Sequence, residues 1–138
     1  MKTLHEYEEL IRQWGEDKGI YAQSTWQKQL EKWGSERAEL LYAETDKERK
    51  DAFGDQYVCL VHVRNMYDGG TNIDILFSLQ GHELDWQIIY RDFDRALTIL
   101  WGDIVVAGYD PLECIAMAWE EIKDRPGKMV NGIFEKDA

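Results

Sequence analysis

Apolar residues recur at spacings of three and four through most of the chain, and the breaks in that rhythm divide it into helices. Leu4, Tyr7, Ile11 and Trp14 form a first amphipathic stripe over residues 3–17. Thr3 is placed to cap it, and Gly15 and Gly19 sit where it should end. GIYAQST is a connection, with Ser24 or Thr25 as the next N-cap. A second helix runs from Trp26 to Glu44 on a core stripe of Trp26, Leu30, Trp33, Leu40 and Leu41. At about 100° per residue, Gln29, Lys32, Glu36 and Glu39 fall in a strip about 80° wide beside that stripe. Carboxylates bordering a core stripe face a groove between helices. Gly34 costs about 1 kcal/mol relative to alanine in mid-helix, marking either a close approach or a tolerated glycine.

Thr45 and Asp46, either able to cap, lead into a third helix from Lys47 to Arg64. Asp51, Asp55, Val58 and His62 share one face within about 60°, while Phe53, Tyr57, Leu60 and Val61 occupy others. Apolar on most sides, this is the expected central helix. Residues 65–83 break the pattern, with turn signals at Asp68-Gly69-Gly70 and Gly81. Between them Ile73, Ile75, Leu76, Phe77 and Leu79 form a short strand, a helical turn or a lid. A fourth helix extends from Leu84 or Tyr90 to Val106, ended by Gly108. Asp110-Pro111 opens the last helix as N-cap and first residue. Leu112, Ile115, Ala116, Trp119 and Ile122 give it a core stripe, and Pro126-Gly127 stops it. The expectation is one all-α domain, a four- to five-helix bundle with no strand assigned outside the open segment 73–79, and with a lid or insertion at 65–90.

Composition narrows the function. At 138 residues and 44% hydrophobic, the chain is one domain with a real core. A formal net charge of −11 argues against a nucleic-acid polymer or an anionic membrane as partner. The same charge requires any polyanionic substrate to arrive with a divalent cation. Cys59 and Cys114 lie in apolar helical patterns, as buried reduced thiols would. A polar N-terminus without a signal peptide and the lack of a ~20-residue apolar run point to a soluble, cytoplasmic protein.

The acidic motifs carry the candidate chemistry. Glutamates three apart (Glu36, Glu39) and aspartates four apart (Asp51, Asp55) each project from one helix face. If the two helices pack antiparallel, up to four carboxylates meet, and such a cluster repels itself unless it holds a cation. The alternative is a solvated acidic surface. His62, two turns past Asp55, is a core or groove histidine or a substrate contact. Trp14, Trp26 and Trp33 are core residues or a platform for a base. A di-iron bundle is disfavoured, since no histidine follows a glutamate at the required spacing. Cys59-x-x-His62 lacks a second pair for zinc.

Four stretches, LIRQWGEDKGI, QKQLEKWGSERAELL, KDAFGDQYVCLV and CIAMAWEEIKDRPGKMVNGIFEK, together resemble the MazG-like all-α nucleoside triphosphate pyrophosphohydrolases of the short phage and bacterial type. The last stretch is the most specific. The resemblance implies hydrolysis of a nucleoside triphosphate to a monophosphate and pyrophosphate, and assembly as a homodimer or homotetramer. It also implies Mg²⁺, with Mn²⁺ as the alternative, held by E-x-x-E on one helix and E-x-x-D on the next. Glu36, Glu39 and Asp55 match that pattern, as ligands and catalytic residues. The remaining glutamate would fall at Ala52, which ligates nothing, so Asp51 is the nearby substitute, with Glu48 or water as alternatives. Glu120 stands where relatives often have asparagine. Lys32, Arg125 and Lys128 are the candidate phosphate contacts. A related phosphoribosyl or nucleotide-sugar pyrophosphate hydrolase and a degenerate interaction module are the competing readings.

Overall fold

The computed structural model describes residues 1–70 and 83–137, so the strand, turn or lid expected around Ile73–Leu79 and the turn signal at Gly81 lie outside the described residues. Seven helices are present among these residues: α1 Leu4–Asp17, α2 Ile20–Gln23, α3 Trp26–Tyr42, α4 Asp46–Met66, α5 Leu84–Tyr90, α6 Phe93–Val106 and α7 Pro111–Ile122. A two-stranded sheet follows, β1 Gly127–Val130 and β2 Ile133–Lys136. The fold is therefore mostly helical, as expected. The expected bundle of four to five helices is corrected in three places.

The connection GIYAQST contains a helical turn, α2, entered through Gly19 at φ 85°. The expected fourth helix is two, because Arg91 closes α5 in left-handed backbone (φ 61°) and Asp92 starts α6, its side chain accepting from the Arg95 N–H. The third correction is the hairpin. Asn131 (φ 51°) and Gly132 (φ 83°) are both left-handed, the geometry of a two-residue turn whose twist suits paired strands. It sets Val130 opposite Ile133 and Gly127 opposite Lys136.

The caps follow the expected chemistry. Thr3, Thr25, Thr45 and Asp110 each accept from a backbone N–H in the first turn of their helix. The short link 43–45 folds α4 back along α3, and α4 is also packed by α7, α6 and α1. From Ala52 to Val63 only Asp55 escapes full burial, so α4 is the central helix. Burying its large side chains, Phe53, Tyr57, Leu60 and Val61 among them, is worth about 1.5–3 kcal/mol each. Gly54 permits the tightest crossing: a Cβ there would strike the Cys114 carbonyl oxygen and lie 3.1 Å from Ala118 Cβ. That close approach of α4 and α7 brings Asp55 beside the end of α7. Gly34, by contrast, meets nothing within 4 Å, which removes the close-approach reading. Leu41 leaves the expected core stripe and is 75% exposed. Both cysteines are buried and free.

Candidate metal centre

Glu36 and Glu39 come from one face of α3, a turn apart, and Asp55 from the facing side of α4. One carboxylate oxygen from each lies within 4.8 Å of the others. Charges this close destabilise one another, and partial burial removes the water that would relieve them. Burial, then the charges of Asp55 and Glu39, raises the Glu36 carboxyl to about 7. Burial, then Glu121, Asp51 and Glu39, raises Asp55 to about 7, with Arg125 opposing. Glu36 Oε2 is buried without a hydrogen-bond partner among the described residues. An orphaned oxygen among like charges is the donor set a hard divalent cation satisfies.

The cluster forms one part of a cavity of about 580 Å³. α3 contributes Gln29, Lys32, Glu36 and Glu39, the whole strip expected from the sequence; α4 contributes Asp55, Val58, Cys59 and His62. Glu121, Ile122 and Arg125 close it at the end of α7, and Phe134, Glu135 and Lys136 from β2. Trp14 and Ile20 complete the wall. Lys32, Arg125 and Lys136 form no ion pair within 4.0 Å among the described residues, so three cations line an otherwise acidic cavity.

Other expected site residues lie elsewhere. Asp51 is outside the three-carboxylate group and outside this cavity's lining. It faces a neighbouring cavity of about 310 Å³ with Glu39, Tyr42 and Glu48, paired with Lys47 at 2.9 Å, while its Oδ1 is buried without a partner among the described residues. Lys128 is exposed on β1 and not in the lining; Lys136, across the hairpin, lines the cavity instead. Glu120 points away and pairs with Lys123 at 2.5 Å, whereas Glu121 faces the cluster. Ala52 is buried in the core. Sequence reasoning missed Glu121 and Lys136, and the Asn-Gly turn was the one local signal for the strand that carries Lys136.

His62 is in the wall, only 2% exposed. Burial, with the Lys32 charge, depresses its imidazole to about 3, so it is neutral at physiological pH. Burial raises the Cys59 thiol to about 12, which makes it an inert wall residue. Among the described residues, no helix is long and apolar enough to cross a membrane. No protein-family model, curated protein or solved structure matches this chain.

Proposed function

We propose that this chain is a Mg²⁺-dependent nucleoside triphosphate pyrophosphohydrolase, releasing a monophosphate and pyrophosphate, on a helical fold of the MazG-like type. One observation carries the reading: three mutually repelling carboxylates, Glu36 and Asp55 half-buried and Glu39 exposed, share a nucleotide-sized cavity with three cations that form no ion pair among the described residues. A ligand bearing both a bound cation and several anionic oxygens satisfies both sets at once, and a metal-chelated triphosphate is such a ligand. The sequence resemblance of α3, α4 and the C-terminal stretch supports the same class.

Glu36, Glu39 and Asp55 would hold the ion, which when bound supplies charge neutralisation and polarises the phosphate under attack. Lys32, Arg125 and Lys136 bind phosphate oxygens and orient the chain of phosphates. A carboxylate oxygen of the Glu36–Glu39 pair takes the proton of the attacking water. The bond from the α-phosphorus to its bridging oxygen then breaks, with pyrophosphate as the leaving group. The proposed assembly is a homodimer or homotetramer in the cytoplasm, consistent with Leu41, Tyr42 and Val106 being 75, 83 and 88% exposed. The test is incubation with each deoxynucleoside triphosphate and Mg²⁺. Pyrophosphate and monophosphate are the expected products; orthophosphate release counts against the mechanism. No turnover together with no Mg²⁺ binding by calorimetry would indicate a helical interaction module.

A further inference from the structure

Gln29 precedes Glu36 by two turns on α3, and His62 follows Asp55 by two turns on the antiparallel α4. Both are therefore displaced in the same direction, about 10 Å along the helices from the carboxylates. At that end the wall is aromatic. Trp14 stacks beside His62 with ring centroids 6.0 Å apart, and Phe134 meets the Trp14 ring edge-on at 5.2 Å. It also holds two buried polar atoms without a hydrogen-bond partner among the described residues, Trp14 Nε1 and His62 Nε2.

The hydrogen-bond network fixes what each can offer. Asn65 Nδ2 donates to the Tyr21 hydroxyl at 3.1 Å, and that hydroxyl lies 2.9 Å from His62 Nδ1; with the Tyr21 proton given to Nδ1, the Asn65 amide, the hydroxyl and Nδ1 are all satisfied. In a neutral ring the remaining proton is then on Nε2, which makes His62 Nε2–H a donor. Trp14 Nε1–H is a donor by constitution. Gln29 is 2% exposed and gives Nε2 to Ser24 Oγ at 3.0 Å, which leaves its Oε1 as an acceptor. A wall with two donors withheld from water, Trp14 Nε1–H and His62 Nε2–H, and the Gln29 Oε1 acceptor on the same lining, is costly unless a ligand completes it.

We propose that this wall is a nucleobase subsite that reads the imide edge of a 2,4-dioxopyrimidine, uracil or thymine. The Trp14 and His62 N–H groups donate to the two carbonyl oxygens, and Gln29 Oε1 accepts from N3–H. Cytosine fails this pattern, because its bare N3 faces an acceptor and its amino group faces a donor. Adenine has no carbonyl, and the guanine amino group meets a donor. The inference rests on the nucleotide reading above, and ribose with the α-phosphate spans the gap between the two ends of the cavity.

Calorimetric titration with dUMP, dTMP, dCMP, dAMP and dGMP tests it. The dioxopyrimidines should bind about tenfold or more tightly than the rest, since each mismatch strands a buried polar group. Gln29→Met and Trp14→Phe should erase the preference while keeping the packing. Should either variant fold poorly, the wild-type ¹⁵N spectrum suffices: one indole N–H resonance moves on adding dUMP and stays on adding dCMP. Equal affinities, a preference for dCMP, discrimination surviving in both variants, or no binding of any monophosphate would overturn the subsite. The outcomes separate the two claims. Equal pyrophosphate release from all four deoxynucleoside triphosphates removes the base subsite and keeps the hydrolase. Selective dUMP binding without pyrophosphate release keeps the subsite and removes the hydrolase.

Discussion

Replacing Asp55 with asparagine removes one charge from the cluster with almost no change in shape, and the structure sets the size and sign of the effect. Asp55 titrates near 3.8 when unperturbed and at about 7 in the fold. At about 1.4 kcal/mol per pH unit that is about 4 kcal/mol of destabilisation once the carboxyl is fully charged. Shared with Glu36, Glu39 and Glu121, and relieved as one of them protonates, about 2 kcal/mol falls to a single substitution. The direction follows from proton binding. The metal-free fold holds its proton more tightly than the unfolded chain, so the penalty is absent below about pH 4 and complete above about pH 7. Urea denaturation in EDTA should therefore show Asp55→Asn about 2 kcal/mol more stable than the parent at pH 8, and equal to it at pH 4. Mg²⁺ at about 100 times its dissociation constant should stabilise the parent by about 2.7 kcal/mol and leave the variant nearly unmoved. The ranking then inverts at pH 8. A variant less stable than its parent in EDTA at pH 8, or a parent indifferent to Mg²⁺, would refute the account of strained carboxylates awaiting a cation.

Other positions separate packing from chemistry. Gly54→Ala should destabilise the fold by about 1–3 kcal/mol or more, read as a fall in the denaturation midpoint, because the added methyl meets backbone of α7 rather than a movable side chain. Gly34→Ala, on an open helix surface, should stabilise by about 0.5–1 kcal/mol. Lys136→Gln should raise the KM for a triphosphate severalfold, and Lys128→Gln should leave it unchanged. Equal effects would show that the hairpin contributes only its fold. Glu121→Gln should weaken Mg²⁺ binding in calorimetry more than Asp51→Asn does, since Asp51 already has Lys47 as a partner.

The α3 strip was legible because helical spacing alone puts Gln29, Lys32, Glu36 and Glu39 beside the core stripe, and one stiff element keeps them there. His62 was placed on the Asp55 face by the same arithmetic. Its burial and its proton chain through Tyr21 and Asn65 come from residues 41 and 3 positions away, and no local pattern encodes them. The hairpin had a signal, Asn131-Gly132 between apolar pairs, but its strands are four residues each and helical periodicity passes over them. Arg91 gave no warning of the break between α5 and α6, because left-handed backbone at a bulky residue is set by its surroundings rather than by its type. Leu41 was misplaced because the last turn of α3 is open to solvent, with Leu41 75% and Tyr42 83% exposed, so wheel position no longer reports burial.

The displaced ligand expected at Asp51 has a physical resolution. A carboxylate at position 52 would lie under the core with Ala52, where an unpaired charge costs several kcal/mol. A further acidic residue on the cavity lining comes instead from another element. After burial, Glu121 perturbs Asp55 most, ahead of Asp51, and it reaches the cavity because Gly54 lets α7 cross close beside Asp55. On the proposed reading, tertiary packing compensates for Ala52: α3 supplies two carboxylates and α4 one, and Glu121 and Arg125 at the end of α7 line the same cavity. That arrangement ties the electrostatics of the site to the α4–α7 crossing, so loosening the crossing at Gly54 should disturb the cluster as well as the core.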